Sequence, residues 1–199
     1  AVPSAPSAPP TVAAESPAEP PSAPASDAPA AIHPDSAGAG RSPEAAPTLP
    51  PAAPTFLLTG DYNLSTLSEQ MDFSASVIPY TKAVEVVLQQ RIFTPFRERY
   101  TDSDCANSFL QEYMLGKRKL TLGNFMILLS SSKEIALRSF VSLQIADAAT
   151  RVYGPSGMAK TLNDNAIRDI RNKAAHAEVI IRSEAQQVRV WTIGILGLV

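Results

Sequence analysis

Apolar residues recur every three or four positions through most of the chain after residue 55, which is the spacing of an amphipathic helix. The clearest case is "VIPYTKAVEVVLQQRIFTPF" (residues 77–96). Its apolar stripe consists of Val77, Tyr80, Val84, Val87, Leu88, Ile92 and Phe93. Pro79 suits the first turn of this helix, where no backbone donor is needed, and Pro95 predicts its end or a kink.

The following segments also predict helices. "SDCANSFLQEYMLGK" (residues 103–117) has Gly116 as a stop signal, and "TLGNFMILLS" (residues 121–130) has Thr121 as its N-cap. "SSKE" (residues 131–134) has the pattern of a capping box and opens a helix that "YGP" (residues 153–155) ends. The apolar positions of that helix are Ile135, Phe140, Val141, Ile145, Ala148 and Val152.

Two more helices complete the pattern. "NDNAIRDIRNKAAHAEVIIR" (residues 163–182) predicts a helix capped by Asn163 or Asp164. "SEAQ" (residues 183–186) is a second capping-box pattern and opens a last helix. Alternating strand patterns are nearly absent, so we predict an all-α fold, a single bundle of five or six helices, mostly antiparallel because the loops are short.

Composition divides the chain near residue 55. Residues 1–54 contain 15 of the 18 prolines and 17 alanines. Proline removes backbone donors, and alanine buries too little apolar area to offset the entropy of ordering. We therefore predict a disordered Pro/Ala/Ser-rich linker at 1–54 and one folded domain at 55–199. The linker carries a net charge of −4 within a chain of −2, which leaves +2 on the domain.

Other features narrow the class of protein. The single cysteine, Cys105, excludes an internal disulfide framework and a multi-cysteine zinc site. The apolar ending "VWTIGILGLV" is too short to span a bilayer. No signal-peptide pattern opens the chain, so we expect a cytoplasmic protein without a membrane segment. A long linker with no initiator Met leads us to expect an N-terminal partner or sensor domain before it.

The candidate chemistry lies in "RNKAAH" (residues 171–176). Arg171 and His176 are about 140° apart on an ideal helix, so on pattern alone a structural role is the more common one. Arg168, Arg171, Lys173, Arg182 and Arg189 nevertheless make this end of the domain basic. Arginine offers a planar, permanently charged fork for phosphate, and histidine exchanges protons near neutral pH. The pair would suffice for RNA cleavage without a metal.

"RNKAAH" resembles the Arg-x(4–6)-His signature of the HEPN (higher eukaryotes and prokaryotes nucleotide-binding) superfamily, often written with Asn after the Arg. The resemblance covers about residues 60–199 and includes an early helix shaped like "YTKAVEVVL" (residues 80–88). It implies a homodimer in which two Arg/His pairs form one composite, metal-independent endoribonuclease site that acts on RNA. It also implies a role in bacterial anti-phage defence or toxin systems, commonly with a fused sensor domain.

The resemblance assigns roles residue by residue. Arg171 would stabilise the transition state, His176 would act as general acid and base, and Asn172 would position the phosphate or the histidine. Glu85 is a candidate third polar residue, although a solvent-facing glutamate paired with Lys82 or Gln89 is at least as plausible. Further phosphate contacts are expected from Arg168, Lys173 and Arg182. No metal or other cofactor is expected.

The alternative from another class is a non-catalytic helical dimerisation or nucleotide-sensing module attached to a partner domain. Three further features carry no predicted catalytic role. The basic run "GKRK" (residues 116–119) could touch RNA phosphates but is more often a solvated helix end. Trp191 is expected in the core or an interface, and Cys105 has no basic partner nearby in sequence.

Overall fold

The computed structural model describes residues 48–176 and 178–199, which belong to one compact unit. Most of the predicted linker, residues 1–47, lies outside the described residues. Within the described part the structure is all-α and contains no strand, as predicted. The α-helices in chain order are α1 (Ala52–Thr66), α2 (Ser74–Leu88), α3 (Thr94–Arg99), α4 (Ser108–Met114), α5 (Leu122–Ser130), α6 (Ile135–Gln144), α7 (Ala148–Arg151), α8 (Met158–Leu162), α9 (Asn165–Ala175) and α10 (Arg182–Leu198).

The helices are more numerous than the five or six predicted, because several long patterns are interrupted. A π-helical turn, Gln89–Phe93, joins α2 to α3, and a short 3-10 turn, Asp102–Asp104, precedes α4. The predicted helix from Ile135 to Val152 breaks after α6, and Asp147 adopts a positive φ of 54° before α7 begins. None of the described helices is long and apolar enough to cross a membrane.

Helix α2 lies at the centre of the fold and packs against α1, α9 and α10. All seven residues of its predicted apolar stripe are buried, including the two that continue into the π-helical turn. Pro79 lies inside α2 rather than in its first turn. It has no N–H to bond the carbonyl of Ala75, and that oxygen accepts instead from Asn63 Nδ2 at 2.7 Å. The proline therefore creates the acceptor that ties α1 to α2.

Helix α1 was not predicted, and it starts at Ala52, inside the segment assigned to the linker. Proline is tolerated there because the first helical N–H groups have no intrahelical partner, so Pro51 and Pro54 do not prevent the helix from starting. The composition of this segment concealed a helix whose stability comes from packing against α2.

Helices α1 and α10 run antiparallel. Arg91 donates to the carbonyl oxygens of Thr48 at 2.6 Å and Val199 at 3.0 Å, which brings the first described residues to the end of α10. At the opposite end, Arg182 donates to the Leu67 carbonyl at 2.5 Å. Between these points Arg189 meets Asp61. Polar contacts therefore hold α1 and α10 together near both ends of the pair and at its middle.

A polar cluster joins α1, α2 and α10. The Tyr80 hydroxyl donates to Asp61 Oδ1 at 2.6 Å, and Arg189 Nε donates to the same oxygen at 2.7 Å. The hydrogen bond from Arg189, with that from Tyr80, holds the pKa of the Asp61 carboxyl below its usual value despite partial burial. Burial and the neighbouring carboxylate raise the pKa of Tyr80, so its hydroxyl remains a donor at neutral pH.

We expect this cluster to contribute an acid-sensitive part of the stability. A carboxyl whose pKa is lower in the folded than in the unfolded chain stabilises the fold above its unfolded pKa, and this contribution is lost as pH falls through the folded value. Between about pH 5 and pH 2, the wild type should therefore lose more free energy of unfolding than Asp61→Asn. Urea unfolding over this pH series measures the difference. Asp102→Asn, at an exposed position outside the cluster, is the control and should keep the wild-type slope.

Candidate functional site

The motif "RNKAAH" (residues 171–176) lies at the C-terminal end of α9. Asp164 caps this helix by accepting from the Ala166 N–H at 2.9 Å, which confirms one of the two predicted N-caps. The helix ends at Ala175, and His176 is its C-cap. The predicted continuation of this helix to Arg182 is therefore wrong.

The early end of α9 has a tertiary cause. The Ile180 N–H donates to Asp72 Oδ1 at 2.9 Å, and the Ile180 carbonyl accepts from Phe73 N at 2.9 Å. Ile180 is fully buried. The loop between α9 and α10 is thus bonded to the loop between α1 and α2, and this pairing replaces the helical hydrogen bonds that residues 178–181 would otherwise make.

The three motif residues do not share one face of α9. Ile167 and Ile170 are buried beneath the helix, and Arg171 lies half-buried at the edge of that face. Asn172 and His176 are exposed and one turn apart, on the opposite flank. In the described part of the chain, no hydrogen bond or ion pair links Arg171 to His176. One copy of the chain therefore holds the two side chains apart.

The alanines of the motif have different surroundings. Ala174 packs against the hydrophobic core, whereas Ala175 is exposed. Ala175 is open to a partner, whereas Ala174 is partly covered by the chain's own core.

The neighbouring cations are partly neutralised. Lys173 Nζ lies 2.9 Å from Glu184 Oε1, and this hydrogen bond raises the pKa of Lys173. Arg182 Nε lies 2.6 Å from Glu69 Oε1, in addition to its bond to the Leu67 carbonyl. Arg168 has only a distant contact, 3.9 Å, with the adjacent Asp169. The phosphate contacts predicted for these three residues stay predictions, with Arg168 the least engaged.

Glu85 has a structural function that the sequence did not reveal. Its Oε1 accepts from the Leu122 N–H at 2.9 Å, and its Oε2 lies 2.5 Å from Lys82 Nζ. The carboxylate therefore binds a free N–H group in the first turn of α5, 37 residues along the chain, a favourable position for a negative charge. The expected pairing with Lys82 is present, and a role of Glu85 beside Arg171 and His176 stays a prediction.

The remaining polar candidates have structural surroundings. Trp191 is buried and its indole N–H donates to the Thr161 carbonyl at 2.7 Å, as expected for a core residue. Cys105 is buried, and burial together with the carboxylate of Glu134 raises the pKa of its thiol to about 12. Among residues 48–176 and 178–199, no group of three or more His, Cys, Asp or Glu side chains is placed to hold a metal ion.

Comparison of the chain with protein-family models, with curated proteins and with solved structures gives no match.

Proposed function

We propose that this chain is a HEPN-type, metal-independent endoribonuclease whose site is completed by a second copy of the chain. The observation that carries the proposal is the placement of "RNKAAH" (residues 171–176) at an accessible end of α9, with His176 exposed. Arg171 has no carboxylate within 4.0 Å in the described residues, so its charge is available to a phosphate.

The separation of Arg171 from His176 within one copy is the reason for proposing a dimer. The two side chains lie on different flanks of α9, so one copy offers a phosphate either the guanidinium or the imidazole. A two-fold axis near the end of α9 would bring Arg171 of one copy toward His176 of the other. Ala175, small and exposed, allows the two helices to approach there.

The chemistry follows from the two side chains. The imidazole of His176 takes the proton from a ribose 2′-hydroxyl, and the 2′-oxygen attacks the adjacent phosphorus. A bond forms between phosphorus and the 2′-oxygen, and the bond to the 5′-oxygen breaks. The leaving 5′-oxygen takes a proton from an imidazolium. Arg171 stabilises the extra negative charge on the phosphorane, and Asn172 hydrogen-bonds the phosphate or the imidazole. The products are a 2′,3′-cyclic phosphate and a 5′-hydroxyl.

In this proposal the domain is the effector part of a cytoplasmic bacterial defence or toxin-type protein, and an N-terminal partner or sensor domain controls it. The alternative function is a non-catalytic dimerisation or nucleotide-sensing module. It uses the same helix end as an interface and predicts a dimer that leaves RNA intact.

We expect Ala175→Trp to abolish both the dimer and RNA cleavage, because an indole at this exposed position would block close approach of two α9 helices. The chain is incubated with total RNA in EDTA, and products are tested for a 2′,3′-cyclic phosphate. Light scattering at micromolar concentration gives the oligomeric state of the same samples. The wild type should be dimeric and cleave RNA, and the variant should be monomeric and leave it intact.

Ala149→Trp, at an exposed alanine of α7, is the matched control and should behave as the wild type. A wild-type dimer that leaves RNA intact would favour the alternative module. A monomeric wild type that still forms cyclic phosphate would contradict the composite site but not the nuclease.

A further inference from the structure

A groove of about 410 Å³ lies at the C-terminal end of α2, beside the loop that leads into α5. Its volume is within the range typical of small-molecule sites, roughly 300–1,000 Å³. Its lining combines apolar and polar side chains, among them Val86, Gln89, Tyr113, Lys119, Leu120 and Phe125. Neither Arg171 nor His176 lines it, so this groove is separate from the proposed nuclease site.

The π-helical turn shapes the wall of the groove. The N–H of Thr94, the residue before Pro95, donates to the Gln89 carbonyl five residues back. Such turns are rare and are found frequently at functional sites. The Gln89 side chain in this turn donates to the Tyr113 hydroxyl at 2.7 Å and to Thr94 Oγ1 at 3.1 Å. Gln89 therefore fixes the orientation of Tyr113 at the groove.

Two polar side chains of the groove, Tyr113 and Lys119, have hydrogen-bond donors that a ligand could use. The Tyr113 oxygen accepts from Gln89, and its own proton has no acceptor in the part of the chain that the structure describes. Lys119 is exposed and has no carboxylate within 4.0 Å among the described residues. Lys82 also lines the groove, but Glu85 neutralises it at 2.5 Å. One uncompensated positive charge and one free hydroxyl donor remain.

The apolar side of the groove belongs to the hydrophobic core. Phe125 stacks on Phe93 with 4.5 Å between ring centroids, and both rings are almost fully buried. Leu120 is 9% exposed and Val86 is partly buried, and both line the groove. An apolar body placed here would cover Val86, the most exposed of these three side chains, and the small exposed parts of Leu120 and Phe125.

We propose that this groove binds a small organic monocarboxylate with an aliphatic or aromatic body. The carboxylate accepts from Lys119 Nζ and the Tyr113 hydroxyl, and the body lies on Val86, Leu120 and Phe125. The single free charge fits a monoanion. A phosphate monoester carries about −1.5 to −2 at pH 7, and only part of that charge would have a cationic partner in the groove.

The test uses matched pairs of probes that differ in charge. Indole-3-acetate is compared with indole-3-acetamide, and octanoate with octanol, by ¹⁵N–¹H NMR titration of the whole chain. Each carboxylate should shift the amide signals of residues 86–90 and 119–122. It should bind about tenfold more tightly than its neutral partner, since charge-assisted hydrogen bonds are stronger than neutral ones. Phenyl phosphate tests the charge argument and should bind more weakly than the carboxylates.

Variants then assign the contacts. Lys119→Gln, at an exposed position that leaves the fold intact, should weaken carboxylate binding about three- to fivefold and leave amide binding unchanged. Tyr113→Phe should act in the same direction. Lys133→Gln, an exposed lysine outside the groove, should bind as the wild type. Equal binding of carboxylate and neutral partner, wild-type affinity in Lys119→Gln, or no binding of either carboxylate would overturn the proposal.

Discussion

Replacing His176 by alanine is expected to reduce RNA cleavage at least about 100-fold, because general acid–base catalysis by a positioned side chain contributes about 10²–10⁴-fold. His176 is the only histidine among the described residues and is exposed at the end of α9. The substitution leaves the core intact because His176 is the C-cap and lies outside the buried face of the helix. Initial rates on a defined RNA in EDTA measure the effect.

The same assay separates charge from shape at Arg171. Arg171→Lys keeps the positive charge but loses the planar fork, so its rate should fall between those of the wild type and Arg171→Ala. Lys133→Ala changes an exposed cation in the loop before α6 and should cleave at the wild-type rate. Equal rates for the wild type and His176→Ala would show that any cleavage comes from another site or from a contaminating nuclease.

Gly157→Ala is expected to lower the free energy of unfolding by about 3 kcal/mol or more, because the new methyl group overlaps backbone atoms that have no room to move. A Cβ at residue 157 would lie 2.6 Å from the Val152 carbonyl oxygen and 2.9 Å from Gly154 N. The backbone around it is fixed by two hydrogen bonds, from Gly157 N to Gly154 O and from Ala159 N to Val152 O. Relief of the overlap would require the turn between α7 and α8 to open.

The matched control is a glycine with open space around it. Gly194 lies in α10, and an added Cβ would meet no atom within 4 Å. Gly194→Ala should therefore raise the free energy of unfolding by about 0.5–1 kcal/mol, since alanine loses less backbone entropy on folding. Urea unfolding followed by circular dichroism gives both values. A Gly157→Ala variant as stable as the wild type would contradict the crowding seen in this turn.

Local signals in the sequence predicted those parts of the fold that depend on neighbouring residues. Thr121 is the N-cap of α5, as predicted, and its backbone N–H donates to Asn124 Oδ1 at 3.0 Å. Gly116 adopts the positive φ, 72°, that the stop signal after α4 requires. The buried stripe of α2 follows in the same way from helical periodicity. In each case the residues that determine the structure lie within a few turns of one another.

Predictions failed where a contact with a distant segment replaces the expected local one. "SSKE" was expected to cap α6, but Glu134 is buried and accepts from the Ala106 N–H at 3.3 Å, so α6 has no side-chain cap. Ile135 follows it and is 72% exposed although its spacing placed it in the apolar stripe. The helix of residues 163–182 ended early because Ile180 pairs with Asp72 and Phe73. None of these partners is near in sequence.

The helix of the candidate motif was predictable, but the contacts around it were not. The helix that carries "RNKAAH" was predicted, since Asp164 and the buried isoleucines define α9 by its N-cap and periodicity. That Glu85 caps α5 and that Arg182 holds the loop after α1 depends on contacts across 37 and 115 residues. No spacing rule connects residues so far apart, so their structural functions became visible only in the fold.

The two carbonyl groups bound by Arg91 have a mechanical consequence. Because Thr48 and Val199 share one guanidinium, the first and last described residues of the domain lie side by side. Anything attached before Thr48 and anything attached after Val199 would pull on the same point of the surface. Tension between the two attachments would break the contacts between α1 and α10 one after another, starting with the hydrogen bonds of Arg91. It would not shear all the helices across their length at once.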